Sequence, residues 1–302
     1  MTADRMAAFF ERLGHRVVRT PSSHWYDARR GFLVSFPHHL LISPRPDEMR
    51  RLFRGLTAGV RYFAPDGAAG TASYMLTCRN RTYDLGDLSA NTRSKVRRGL
   101  ARCTVSRLTP AWVRQHGRDI DQDTLRRIRV PDPYPWDVYW RAVEQSDCVE
   151  IWGALTGTEL AAYMVVVLAE GCASIMIARS GSDTLRNYPN NALLFSLVRE
   201  MLGRPGIDQV LFGMGSFEDY QGVDEFKISM GFVRTSIRQH VVLHPLLRPA
   251  LSSAIAGRVI DRLAAQRPDS EVWRKLRGLT ATVRGHRAVS APARPEAPIE
   301  SR

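Results

Sequence analysis

Several groups of side chains in this sequence have the types and spacing that anion and proton-transfer chemistry need. Lys227 follows an aromatic residue, Phe226, in a short helical stretch. Its ammonium can stabilise an oxyanion or hold an acceptor carboxylate. The ordinary alternative is a surface pair with Asp224 or Glu225. Just before it stand Glu218, Asp219 and Tyr220. Two carboxylates and a phenol in one loop can take a proton from one group and give one to another, or simply face water. Arg186, Asn190 and Asn191 lie where a strand feeds a long helix. A helix start carries free N–H groups and a partial positive charge, so it holds a phosphate or a polarised carbonyl. Arg93 and Arg97, four residues apart, share a helix face. They can bind a phosphorylated or carboxylated acceptor, and a solvated face is the plainer alternative.

Other chemistries lack their residues. His38 and His39 are adjacent and point apart in an extended chain, and the histidines form no metal-like cluster. Cys78, Cys103, Cys148 and Cys172 are scattered without a C-x-x-C pair, which predicts free thiols in a reducing cytosol and no metal site. Ser180 and Ser216 have no recognisable His/Asp set for a hydrolase triad. The net charge of +13 points to a polyanionic partner, nucleic acid or a membrane surface, or to a generally basic solvated surface. Nearly all of it is arginine; lysine occurs only at Lys95, Lys227 and Lys275. No helix-turn-helix, zinc finger or aromatic RNA-binding strand is visible, so no DNA partner is expected. No apolar run is long enough for a transmembrane helix, and the charged amphipathic start does not read as a secretory signal.

The elements that must position these residues follow from periodicity. Residues 1–13 predict a helix, 31–36 and 38–43 strands, 47–56 a helix, and 60–63 and 73–78 strands. Ser89 caps a basic helix over 90–102, a strand follows over 103–108, and Thr109 caps another helix. The proline-dense residues 130–136 predict a loop. Residues 149–155, 159–168 and 173–178 predict strands joined by short glycine-containing turns. A helix over 190–202 carries Leu193, Leu194, Leu197, Val198 and Met201 as its apolar stripe. A strand over 209–212, a helix over 224–230 and a strand over 233–243 complete the order. The stretches 47–63 and 191–212 are weakly similar helix-then-strand units, a hint of duplication.

Three motifs then carry a resemblance: IMIARSGSDTLRNYPNNALLFSLVREML, QVLFGMGS and GVDEFKISMGF, closing on Phe226-Lys227 and Met230-Gly231-Phe232. With the basic helix SANTRSKVRRGLARCTV they resemble FemAB-like members of the GNAT superfamily over about residues 83–243. The resemblance implies an α+β fold of two GNAT-like halves, each a mixed, mostly antiparallel sheet flanked by helices. It implies an activated acyl donor and an amine acceptor. It also implies that strands 173–178 and 209–212 splay, so that the donor's arm lies between them like an added strand. Met176, Ile177, Ala178 and Arg179 then border the donor, with backbone N–H near Ile177 or Ala178 polarising the acyl carbonyl. Glu218, Asp219 and Tyr220 supply the base and the acid that GNAT chemistry needs. One departure matters. Ordinary CoA-binding members have R-x-x-G-x-G/A, whereas this chain has R-N-Y-P-N-N at 186–191, with Pro189 and Asn191 in place of glycines.

The expected organisation is an N-terminal GNAT-like half with the basic connecting helix (1–108), a C-terminal acyltransferase half (109–244), a helical extension (245–284) and a disordered tail (285–302). The expected function is N-acyl transfer from a thioester, acyl-CoA or an acyl-carrier protein, to an amine of a small biosynthetic or cell-envelope intermediate, with no permanently bound cofactor. Aminoacyl transfer from tRNA to a peptidoglycan-type precursor and a non-catalytic binding module are the alternatives. The expected location is the cytoplasm. The basic C-terminal helix either docks on the protein itself or touches the inner membrane surface.

Overall fold

A computed structural model describes residues 2–29, 31–215, 221–247 and 262. Helix α1 (Ala3–Arg12) leads into strands β1 (Val17–Arg19), β2 (His24–Arg29) and β3 (Phe32–Phe36), then α2 (Pro46–Leu52), β4 (Gly59–Pro65) and β5 (Thr71–Cys78). Helix α3 (Ala90–Arg102) and β6 (Thr104–Leu108) follow, then α4 (Pro110–His116), α5 (Arg118–Ile128) and α6 (Trp136–Glu144). The remainder is β7 (Val149–Thr156), β8 (Glu159–Ala169), β9 (Cys172–Ser180), α7 (Pro189–Gly203), β10 (Gln209–Met214), α8 (Gln221–Ser229) and β11 (Val233–Leu243).

Among the described residues, eleven strands form one sheet in the order β1-β2-β3-β4-β11-β5-β10-β9-β8-β7-β6, and of these only β3/β4 and β9/β10 pair in parallel. Each of these pairs belongs to the same local plan, an antiparallel hairpin, a helix and a parallel return strand. That plan is the duplication hinted at by the two helix-then-strand stretches. The centre of the sheet interleaves the two units. β11 pairs with β4 and β5, while β5 pairs with β10. The chain's last strand therefore completes the first unit, and a strand of the first unit completes the second.

Burial explains the helices. From Leu160 onward β8 is buried on both faces. Ala162, Met164, Val166 and Leu168 join the core under α7, whereas Tyr163, Val165, Val167 and Ala169 join the core under α1 and α6. A strand covered twice reads as one continuous apolar run. All five stripe residues of α7 are buried. Ser89 and Thr109 cap as expected, their hydroxyls accepting from the N–H groups of Thr92 (3.4 Å) and Trp112 (3.3 Å).

Residues 38–43 are not a strand. Pro37 and Pro44 bracket them and supply no N–H, and the segment makes a turn and then an irregular crossing. The helix predicted over 47–56 ends at Leu52, with Gly55 at φ +77° beyond it. The loop predicted over 130–136 is present up to Pro135, and Trp136 opens α6. The helical extension and tail expected beyond residue 244 lie outside the described residues, apart from 245–247 and 262. Among the described residues, no helix is long and apolar enough to cross a membrane.

Candidate functional site

The sheet opens between the two strands where the resemblance implies a splay. β9 and β10 pair only at Cys172–Gln209, Ala173–Val210 and Ser174–Leu211. Beyond Ser174, β9 runs on to Ser180 paired with β8 alone. A bulge adds to the opening. β8 partners step from Val166–Ile175 to Val165–Ile177, so Met176 has no residue opposite it. Met176 is exposed, and Ile177, Ala178 and Arg179 are half-buried. The exposed edge of β9 offers backbone donors and acceptors to an extended arm, the physics of strand addition.

The first unit has no equivalent opening. β3 and β4 also part, after Val34–Arg61. There the chain's own segment crosses, and the Ile42 N–H donates to the Phe63 carbonyl at 2.8 Å.

The start of α7 closes one end of the β9/β10 gap. A 3-10 turn (Ser182–Asn187) and Tyr188, at φ +57°, stand where a glycine loop would be, and Pro189 is the first helical residue. Asn190 Nδ2 donates to Ser180 Oγ at 3.0 Å. Asn191 is buried and its Nδ2 lies 3.5 Å from Met230 Sδ. Both side-chain amides are thus engaged within the protein, which leaves backbone N–H groups and nearby arginines for an anion.

Those arginines come from α3. The Arg98 guanidinium lies 4.7 Å from the Tyr188 ring centroid, and Arg102 Nη1 donates to the Arg186 carbonyl at 3.1 Å. The two helices approach this closely because Gly99 faces the contact. A Cβ there would stand 2.6 Å from the Tyr188 carbonyl oxygen. Arg97 and Arg186 are exposed, and Arg93 is half-buried with Nη1 3.5 Å from the Leu88 carbonyl. Arg93 and Arg97 therefore lie on the helix that flanks the start of α7. Gly99→Val is expected to push α3 off α7 and cost about 1–3 kcal/mol, read as a lower midpoint in urea unfolding; an unchanged midpoint would show that the contact relaxes freely.

Lys227 sits at the other wall. It is buried, with Nζ 5.0 Å from the Phe212 ring centroid and 3.4 Å from Asp224 Oδ1. A Cβ on Gly213, at φ +100° in the open part of β10, would be 2.9 Å from that Nζ. The Tyr74 hydroxyl donates to Asp224 Oδ2, and Arg234 lies 3.8 Å from the same oxygen. Burial lowers the Lys227 pKa from its ordinary value, and the Asp224 carboxylate opposes that shift. Met230 and Phe232 of the closing motif are core residues, and Tyr83 donates to the Met230 carbonyl at 2.7 Å. Glu218, Asp219 and Tyr220 lie outside the described residues.

On the opposite face of the sheet, α5, the 130–135 loop and the start of α6 enclose a cleft of about 540 Å³. Beside it a much smaller cavity of about 10 Å³ shares Asp121, Asp132, Tyr134 and Trp136 with the cleft and is also lined by Ile177 and Arg179. Arg179 Nε lies 2.6 Å from the buried Asp121 Oδ1, to which Tyr163 also donates at 3.1 Å. Past the bulge, Ala178 packs toward the α7 core, whereas Ile177 packs with the core of the opposite face. Sequence reading missed Asp121, Tyr134 and His15 here. They come from three separate segments, and only the proline density around Tyr134 marked any of them.

In fold, the chain is of the α+β, GNAT-like class, with a mixed, mostly antiparallel sheet flanked by helices. Among solved structures it is similar to the C-terminal domain (DUF2156) of a putative lysylphosphatidylglycerol synthetase from Agrobacterium fabrum. There the TM-score is 0.56 and identity 13%, over 81% of this chain and 88% of that one. It is also similar to FemX, with TM-score 0.57 and 11% identity over 81% and 92% of the two chains. L-PGS from Bacillus licheniformis gives 0.53 and 15% over 80% and 91%. At these identities the likeness is one of fold. No protein-family model and no curated protein sequence matches the chain.

Proposed function

We propose that the chain is an N-acyltransferase that holds an acyl thioester in the β9/β10 gap and passes the acyl group to an amine. The observation that carries this is the parting of β9 from β10 after Ser174–Leu211, with the bulge at Met176 on the open edge. The donor's arm adds to that edge as a strand. Its phosphates lie at the start of α7 among Arg98, Arg102 and Arg186. Backbone N–H around Met176–Ala178 and the Lys227 ammonium, from opposite walls, stabilise the oxyanion that forms as the amine attacks. Fold likeness alone does not assign a reaction.

A second reading has one observation of its own. Residues 186–191 lack the glycine nest that grips a pyrophosphate, while α3 sets Arg98 and Arg102 beside them. An aminoacyl-tRNA ester, whose nucleic acid chain extends past the helix start, fits that surface.

Thermal unfolding of the full chain separates the two. A saturating acyl-CoA, at about 100 times its Kd, is expected to add about 2.7 kcal/mol of stability, and Arg98→Glu with Arg102→Glu is expected to weaken that gain. Stabilisation by charged tRNA alone, lost steeply as salt rises, would replace the first reading with the second. No response to acyl-CoA, acyl-carrier protein or charged tRNA would remove both.

A further inference from the structure

The cleft opposite α7 is lined by Arg118, Asp121, Asp132, Tyr134, Trp136 and Asp137 among others. Two of its three carboxylates are paired, Asp121 with Arg179 at 2.6 Å and Asp137 with Arg114 at 2.8 Å, and Asp132 stands against Arg118 in the remaining lining. The charges therefore balance, and the faces of Tyr134 and Trp136 beside the Asp132 carboxylate are what can hold a cation on an apolar body.

One residue of this lining is wired for proton transfer. The Tyr134 hydroxyl lies 2.7 Å from His15 Nε2. His15 Nδ1 lies 3.2 Å from Asp27 Oδ1 and 2.9 Å from the Asp27 carbonyl oxygen. With Nδ1 protonated toward Asp27, Nε2 is the free acceptor for the phenol proton. Phe10, Tyr26 and Tyr134 pack edge-on around the imidazole and hold it in place. Burial and the Asp27 charge hold the Tyr134 phenol above the ordinary tyrosine value, so it is a neutral relay and not a standing phenolate.

We propose that this cleft receives the acceptor, a primary amine on an aromatic or apolar body, and that Tyr134, backed by His15 and Asp27, takes the amine's first proton. The assignment rests on the acyl-transfer reading above. The incoming ammonium gives one proton to the Tyr134 oxygen as the phenol proton passes to His15 Nε2. The freed nitrogen lone pair attacks the acyl carbon from the cleft side of the sheet. As the C–N bond forms and the C–S bond breaks, the sulfur leaves with its electron pair and takes the nitrogen's second proton. The imidazolium then returns its proton to water. Tyr134 is the catalytic residue; His15 and Asp27 act through it as positioning residues.

The test uses the full chain, acetyl-CoA as donor and phenethylamine as probe. The wild type is expected to form N-acetylphenethylamine. Tyr134→Phe and His15→Gln are expected to lower kcat/KM near neutral pH by about 100-fold, while acetyl-CoA raises Tm equally in all three. His15→Gln should carry its loss in kcat and leave KM for phenethylamine unchanged, the split expected of a group that acts through Tyr134 and does not touch the amine. Tyr134→Phe keeps the ring and its packing, so it decides the matter if His15→Gln does not fold. Undiminished turnover in Tyr134→Phe would overturn the relay. Stabilisation by acetyl-CoA without any acylated probe would overturn the amine assignment. If acetyl-CoA neither stabilises nor reacts, the donor reading has failed, and the cleft is judged by probe binding alone. Saturable quenching of tryptophan fluorescence, lost in Trp136→Phe and weakened about 10-fold by Asp132→Asn (about 1.4 kcal/mol), would uphold it; no quenching would overturn it.

Discussion

Lys227→Met is expected to slow acyl transfer by about 100-fold or more while leaving the fold intact, the scale at which loss of one oxyanion donor is felt. The side chain lies in a wall that holds it on three sides, beside Phe212, Gly213 and Asp224. Methionine keeps the length and the apolar stem and removes only the charge. Two pH dependences of opposite sign follow from the lowered pKa. The oxyanion needs the ammonium, so activity falls as pH rises through the lowered value, earlier than for an ordinary lysine at 10.5. Stability moves the other way. In the window between the folded value and the higher unfolded one, the unfolded chain binds more protons, so folding gains as pH rises. Lys227→Met should abolish both slopes. Steady-state turnover and urea midpoints across alkaline pH read them separately. A variant with wild-type turnover would reduce Lys227 to the partner of Asp224.

The order of strands and helices around this site was legible because each element buries one periodic stripe. The stripe of α7 and the continuous apolar run of β8 are examples, and both came out at nearly their true bounds. The gap between β9 and β10 was expected only through the family resemblance, since a strand, helix and parallel strand do not by themselves have to part. The reading was silent about side-chain partners that lie far along the chain. Asn191 looked like an anion ligand from its place at a helix start, yet it turns inward to Met230. Arg179 looked like a donor-side residue, yet it reaches across to Asp121, whose selection depends on α5 folding under β9. The segment 38–43 had strand composition, but Pro37 and Pro44 bracket it and only Ile42 bonds to the edge of β4, at Phe63. Periodicity reports which face a residue occupies and is silent about what the opposite element brings to meet it.

That limit makes the Asp121–Arg179 pair the place where stability should be most sensitive. Asp121→Asn is expected to cost about 3–5 kcal/mol, because it leaves the largely buried Arg179 guanidinium without a counter-charge. The loss should appear as a lower urea midpoint with unchanged slope. The pair itself adds little net stability, since two charges were taken from water to make it. Asp121→Leu combined with Arg179→Met and Tyr163→Phe should therefore recover most of the loss, the third change being needed because Tyr163 also donates to Asp121. Such strong non-additivity is the signature of groups that share one buried site. If the triple variant were less stable than Asp121→Asn alone, the ion pair would be a net stabiliser. If Asp121→Asn cost nothing, water would reach Arg179 from the cleft, and the small cavity beside the cleft would be wetter than its lining implies. The triple variant keeps Tyr134, His15 and Lys227, so its turnover measures what the buried charges contribute to orienting Ile177 and the open edge of β9.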